Sequence, residues 1–433
     1  MLLENGLPTS FFKRNTRITT IFSVLVILMP ILNSYKSPIS VLGLGEFSII
    51  LLLPFMLFSM LYGDKKIHLH KYWLFALYSI ICSYVVMLFN DISLQEINNR
   101  LLRIIFYTFI IFIFGINFFD YKLSIKIYKY TSLLTCIFLI LQCISYNIFD
   151  FIIPWKIPGL DFNILISTEE YYRKYYAYFR PTSFFTEPAH FVHYCSPYLA
   201  IILFSNSRHK MKEAIFISFA ILLSSSVNGF IFVSVIWIIW FFHSTYTDKR
   251  LVSILFRTMI IALIPILFIV LYNKSNSFML VINRLNNISN DVSAIVRLAN
   301  GFFIFYQLET IYKFFGIGFG SYNDFKILKS INLLYDTEIE YMSSLSYILV
   351  SSGIFGFILY MVILFEIYRK AQKTGKVLII LLIIMFMSSS IYPSPIYVII
   401  LLFTLYADKK QFKNVKDNKL YLKRIGNKVS SLS

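Results

Sequence analysis

Arg180-Pro181-Thr182-Ser183-Phe184-Phe185-Thr186-Glu187-Pro188 runs straight into an apolar segment. Thr186 or Glu187 is suited to cap a helix that begins there, and Pro188 suits its first turn. Arg180 then lies just ahead of a helix N-terminus. Guanidinium groups and helix N-termini both favour anionic oxygens, so the segment reads as a phosphate site. An ordinary surface arginine followed by a capping glutamate fits the same residues. Glu187, His190 and His193 recur every three residues and share one helix face approximately. That is not the spacing of HExxH, and histidines bonded to their neighbours are the commoner reading, so no metal and no cofactor is expected.

A second group lies downstream. Arg284 and Arg297 precede Gly316-Ile317-Gly318-Phe319-Gly320-Ser321-Tyr322, and Arg297 opens an amphipathic stretch that reaches Phe315. Alternating glycines either let backbone approach a ligand or make a tight turn. They are no nucleotide fingerprint: the Walker Lys-Ser/Thr is missing and no strand-turn-helix frames them. Asp324, Asp336, Glu338 and Glu340 add carboxylates, which serve as an acid–base pair or as a solvated loop face. Glu46 and Glu366 are ionisable groups within or beside apolar segments and are functional candidates by default.

The elements that must position these residues are membrane helices. Of 433 residues, 58% are hydrophobic and 14% charged, and the mean hydropathy is +0.70. A soluble domain carries about 25% charged residues, so this chain uses lipid as part of its solvent. We read twelve spans: Ile18–Tyr35, Ile39–Tyr62, Tyr72–Phe89, Ile104–Phe119, Tyr130–Phe149, Ala189–Ser205, Ala214–Val227, Gly229–His243, Ile254–Tyr272, Leu345–Tyr368, Val377–Tyr392 and Pro395–Ala407. With the N-terminus in the cytoplasm, 26 of the 40 Lys and Arg fall on the inner side, 13 on the outer side, and Arg257 lies inside a helix. That bias orients the chain with both termini inside.

The expectation is an all-α polytopic membrane protein, a single integral domain over residues 1–433, with two long outer loops at 150–188 and 273–343 and a basic inner tail at 408–433. The net charge of +18 then faces membrane lipid head groups, not nucleic acid. The first apolar run lacks an A-x-A-like site and is read as a retained helix. Cys82, Cys136, Cys143 and Cys195 form no CxxC motif and read as free thiols. Ser224–Gly229 marks either a tight outer turn or a re-entrant hairpin, and Pro393-Ser394-Pro395 a second tight turn.

The positive-inside rule does not favour arginines on the outer face, so those present need another reason. Neither ATP nor a sugar nucleotide is available there. Bond formation on that side requires a donor that arrives activated on a lipid, such as a lipid pyrophosphate. Two arginines would stabilise its leaving charge, by about 2.7–4 kcal/mol per well-placed donor.

At this point the chain resembles a known family. Arg180 to Pro188 is similar to the R-x-x-G-x-x-x-E-P segment of bacterial O-antigen polymerases of the Wzy type and of their relatives, the O-antigen ligases. Arg297 followed by Gly316-x-Gly318-x-Gly320 resembles their second outer loop, and Gly353-Ile354-Phe355-Gly356 the Gly-Ile-x-Gly that follows it. Ser183 stands where glycine is usual. Met342, beside Tyr341, stands where the ligases carry histidine, which favours the polymerase.

The resemblance implies a GT-C-like glycosyltransferase in the bacterial inner membrane. It would join oligosaccharide repeat units on the outer face, from an undecaprenyl-pyrophosphate-linked donor to a lipid-linked acceptor. A chain-length regulator is a candidate partner. Arg180 and Arg297 would bind pyrophosphate, and Glu187 would position Arg180 or the acceptor hydroxyl. Arg284, His190, Tyr322, Gly316, Gly318 and Gly320 would line the site. Glu187, His190 and Tyr322 are the candidates for general base. An O-antigen ligase or a lipid-oligosaccharide flippase are the alternatives, the latter disfavoured by the lack of an internal repeat.

Overall fold

The computed structural model describes residues 16–39, 42–62, 70–90, 92–154, 156–161, 179–205, 210–247, 296–321 and 342–406. Among these residues the chain is helical, with one isolated antiparallel bridge between Lys36 and Gly43. The helices are α1 (Thr16–Leu32), α2 (Leu44–Leu61), α3 (Tyr72–Phe89), α4 (Leu94–Phe118), α5 (Tyr121–Phe149), α6 (Pro188–Leu203), α7 (Lys210–Leu223) and α8 (Val227–Thr247). After a π-helical turn at Val296–Asn300 come α9 (Gly301–Gln307), α10 (Thr310–Phe315), α11 (Ser344–Lys370), α12 (Lys373–Ser388) and α13 (Pro395–Tyr406). The expected span Ile254–Tyr272, Arg284, Tyr322, the acids from Asp324 to Glu340 and the tail at 408–433 lie outside the described residues.

Five of these helices, α2, α3, α4, α5 and α11, are long and apolar enough to cross a membrane. Large apolar side chains such as Leu61, Leu88 and Phe89 stand more than three-quarters exposed on them. Apolar surface on that scale needs a non-aqueous solvent, as in a membrane protein.

Two helices start nine or ten residues earlier than hydropathy suggests. Helix α4 begins at Leu94, ten residues ahead of the expected Ile104, and α5 at Tyr121, nine ahead of Tyr130. Their first turns are polar, so an apolar window misses them, yet they hold good helix formers. The Asp120 carboxylate caps α5, accepting from Lys122 N at 3.0 Å and Leu123 N at 3.2 Å. Helix α12 ends four residues before the expected Tyr392, because the backbone at Ser389 turns to meet α11.

Buried polar ties fix the bundle. Glu46 is almost fully buried in the first turn of α2. Its carboxylate accepts from Gly43 N at 3.1 Å and from the Tyr107 hydroxyl, and pairs with Arg103 Nε at 3.2 Å. Asn33 Oδ1, at the end of α1, accepts from Glu46 N at 3.0 Å. This candidate acid is thus occupied in joining α1, α2 and α4. Removing one partner of such a pair costs about 3–5 kcal/mol, because the other charge stays buried. Glu366 pairs with Lys71 at 3.0 Å and Lys370 at 2.6 Å.

Helix α11 breaks at Gly353 (φ 65°, ψ −173°). A break interrupts the i→i−4 ladder and frees carbonyls that need new donors. Val350 O accepts from Ile317 N at 3.0 Å, and Ser351 O from Gly318 N at 2.9 Å. The two backbones touch so closely that a Cβ on Gly353 would lie 2.3 Å from Phe314 O, and one on Gly316 2.2 Å from Ser351 O. The glycine run is therefore sewn into the kink of α11.

Candidate functional site

The segment before α6 is held by backbone chemistry. Ser183 is fully buried with φ 57°, a left-handed conformation that costs a non-glycine residue about 1–2 kcal/mol. Three hydrogen bonds offset that cost. Ser183 N donates to Gln142 Oε1 at 2.8 Å, Ser183 Oγ to Thr135 O at 2.7 Å, and Gln142 Nε2 to Ser183 O at 3.4 Å. A serine thus occupies the glycine conformation because α5 holds it there.

Arg180 and Glu187 flank this turn. Arg180 is half-buried; its Nη2 donates to Ser225 O at 3.0 Å, while its buried Nε has no partner among the described residues. Ser225 lies in the α7–α8 turn, also with positive φ, and Ser224, Ser225 and Ser226 are buried. The Ser224–Gly229 break is thus a turn covered by protein. Glu187 is the N-cap residue of α6 (φ −136°, ψ 150°), with Pro188 in the first turn. Its exposed carboxylate makes neither a cap bond nor an ion pair with Arg180 among the described residues. Among the described residues Arg180 is held by the Ser225 carbonyl and not by Glu187, which was expected to position either Arg180 or the acceptor hydroxyl. The same side chain remains free to meet a ligand. His190 is exposed, and its Nδ1 lies 3.0 Å from Thr186 Oγ1.

Arg297 sits on the π-helical turn, and its carbonyl accepts from Ser343 N at 2.9 Å, which fixes it beside the start of α11. Asn300, one turn on, is fully buried, and both amide atoms lack partners among the described residues. The π-helical turn packs against α12. Arg297 lies within electrostatic reach of His193.

His193 was read from the sequence only as part of a weak metal spacing, and it proves central. It is 3% exposed, and its Nε2 lies 3.0 Å from Ser389 Oγ, which also accepts from Asn228 Nδ2 at 2.9 Å. Ser389 O in turn accepts from Ser344 N at 3.0 Å and Ser344 Oγ at 2.8 Å. Ser344 Oγ accepts from Ile391 N at 2.7 Å and Tyr392 N at 2.9 Å. The starts of α6, α8 and α11 and the α12–α13 turn are thereby joined around one imidazole. Asn228 lies in the Ser224–Gly229 break singled out from the sequence, whereas Ser389 belongs to no motif and falls inside the expected span Val377–Tyr392.

Gly316, Gly318 and Gly320 do not line an open site. All are buried with positive φ, and a Cβ on each would meet Ser351 O, Ser83 Cα and Glu96 O at 2.2, 2.9 and 2.7 Å. Of the two expected roles, the structure assigns them the turn and close packing against α11, α3 and α4.

The described site residues form a linked chain. Arg180 holds Ser225; three residues on, Asn228 holds Ser389; and Ser389 holds His193, while Arg297 is fixed by its own carbonyl beside the start of α11. Arg180 Nε, Thr182 Oγ1, His193 Nδ1 and the Asn300 amide are buried without partners among the described residues. Trp73 Nε1, Ser124 Oγ, Ser132 Oγ and the Tyr360 and Tyr397 hydroxyls are buried in the same way elsewhere in the bundle, so such atoms are not confined to this region. Among the described residues no three His, Cys, Asp or Glu gather as a metal site. Comparison with protein-family models gives no match, and comparison with curated proteins gives none either.

Proposed function

We propose that this chain is a membrane glycosyltransferase that polymerises lipid-linked oligosaccharide repeat units into O-antigen or a similar surface polysaccharide. In this reading twelve spans form a GT-C-like fold in the bacterial inner membrane, with both termini cytoplasmic and the arginine site on the outer face. Undecaprenyl pyrophosphate carries both donor and acceptor. The observation that supports the reading is Arg180, held by the Ser225 carbonyl in the α7–α8 turn whose Asn228 joins Ser389 and His193, with its buried Nε unpartnered among the described residues.

The resemblance implies the following reaction. An acceptor sugar hydroxyl attacks the anomeric carbon of the donor. The bond from that carbon to the phosphate oxygen breaks, and the lipid pyrophosphate leaves with the electron pair. Arg180 and Arg297 stabilise the charge as it develops. The hydroxyl proton passes to a base, for which the exposed Glu187 carboxylate and His190 stand at the rim.

The test is a surface-glycan ladder from a strain lacking this gene, complemented with wild-type or Arg297→Ala chain. The expected result is a single repeat unit without the gene, a long ladder with the wild type, and a single unit with Arg297→Ala at unchanged protein level. A long ladder from Arg297→Ala would remove the pyrophosphate assignment. Loss of the repeat unit itself would point to export or ligation instead.

A further inference from the structure

Helices α9 and α10 lie in a stretch expected to be an outer loop, yet they show large apolar side chains to the outside. Inward, Gly301 and Ile304 are buried, and a Cβ on Gly301 would come within 2.2 Å of Ser346 Oγ on α11. Outward, Phe302 and Tyr306 of α9 are exposed four residues apart, on one side of the helix. Ile311, Phe314 and Phe315 of α10 are exposed at the i, i+3, i+4 spacing of a single face. Tyr306 stands 78% exposed and Ile311 60%. Water seldom borders so many large apolar groups together, so something non-aqueous covers this face.

Continuity identifies the cover. Phe314 and Phe315 both meet the Phe355 ring, with centroids 5.4 Å apart in each case. Phe355, Ile358, Val362 and Phe365 are exposed in turn along α11, a helix long and apolar enough to cross a membrane. On the other side, Asn90 Nδ2 donates to the Tyr312 hydroxyl at 3.4 Å. Asn90 directly follows Leu88 and Phe89, the exposed end of α3, another helix of membrane length. The outward face of α9 and α10 therefore prolongs the lipid-facing surface of α3 and α11. Its chemistry suits the lipid boundary. Tyrosine and lysine each join an apolar body to a polar tip, and such groups favour head-group level. Lys313 Nζ lies 5.4 Å from the Tyr306 ring centroid, so the two tips are neighbours. Glu309 and Lys313 are the two charged residues between Leu298 and Phe315 and cancel each other, so the match is to phospholipid in general and not to anionic lipid.

We propose that α9 and α10 form a docking platform on the phospholipid bilayer, with Phe302, Ile311, Phe314 and Phe315 among the upper acyl chains and Tyr306 and Lys313 at head-group level. Arg297 stands on the π-helical turn that leads directly into α9, so the platform holds that arginine near the depth of lipid phosphates. The meaning of that depth for catalysis rests on the polymerase reading; the platform itself does not.

The test uses the full-length Cys143→Ser chain in phosphatidylcholine nanodiscs, where both membrane faces are open to solvent. Cys143 is the one partly exposed native thiol, and the other three are buried. Tyr306→Cys or Ile311→Cys is labelled with bimane. Fluorescence quenching is read with iodide in the water, and with lipids spin-labelled at the head group, near the top of the acyl chain or near its end. Asp161→Cys, on an exposed loop, is the water reference, and Val362→Cys, exposed on α11, the acyl-chain reference. Both platform labels are expected to be quenched most by the head-group or upper-chain lipids, and severalfold less by iodide than the label at position 161. Adding Ile311→Asp puts a charge on the apolar face and should raise iodide quenching at position 306 severalfold. Iodide quenching equal to that at position 161 would put the face in water and overturn the platform. Protection from iodide and from every spin-labelled lipid would mean that protein covers it, a second copy or another part of this chain, and would overturn it too. Strongest quenching from the chain end, as expected for Val362→Cys, would make the segment part of a span instead. Labels at head-group depth together with a long ladder from Arg297→Ala would keep the platform and sink the pyrophosphate role of Arg297.

Discussion

Replacing Arg180 by lysine separates charge from geometry at the proposed pyrophosphate site. Arginine carries five N–H donors in a planar fork, and lysine three on a point charge. In this structure one guanidinium donor is spent on Ser225 O at 3.0 Å, and the buried Nε faces no protein partner among the described residues. A lysine at this position keeps the charge and can still reach one carbonyl, but it cannot grip two phosphate oxygens at once. Losing one charge-assisted hydrogen bond in the transition state is worth about 1.5–3 kcal/mol. That slows polymerisation by roughly tenfold to 150-fold. The assay is the rate of chain extension in membrane vesicles supplied with lipid-linked repeat units, normalised to the amount of tagged protein. A lysine variant within twofold of wild type would show that Arg180 acts as a distant charge or as a brace for the α7–α8 turn, and the bidentate argument would fail.

Two further outcomes follow from the fold. Gly353→Ala would force a Cβ to within 2.3 Å of Phe314 O at φ 65°, so we expect at least about 3 kcal/mol of destabilisation, read as a lower melting temperature in detergent. An unchanged melting temperature would mean that the kink of α11 is not sewn to the glycine run. Cysteines at Ser167 and Ser330, in the Cys143→Ser chain, should react with a membrane-impermeant thiol reagent added outside the cell. Labelling only after the inner membrane is opened would invert the topology.

Several parts of this fold were legible in the sequence because they depend on local composition. Apolar runs mark helices wherever lipid is the solvent, and five of the expected spans are long and apolar enough to cross. The Pro188 start of α6 was readable from Glu187-Pro188 alone. Helix ends were less legible. The polar first turns of α4 and α5 carry no apolar signal, and the end of α12 is set by Ser344, which lies 45 residues before Ser389 in the chain.

Ser183 shows how far a local segment reaches. The sequence left the backbone geometry at position 183 open, and the structure gives it a left-handed conformation. That a serine can fill that role depends on Gln142 and Thr135, some forty residues away on α5. Sequence order carries no trace of that support.

The same division runs through the site. The sequence by itself determined which residues could carry charge and hydrogen bonds, Arg180, Glu187, His190 and Arg297, because residue type fixes those capacities. Only the tertiary structure decided how they are used. It gave Arg180 to the Ser225 carbonyl instead of Glu187 and spent the glycines on packing. It also gathered His193, Asn228 and Ser389 from three separate apolar segments around one imidazole. Burial is the physical reason. A polar group taken out of water must find a partner, and which partner lies within 3 Å is set by how the helices pack.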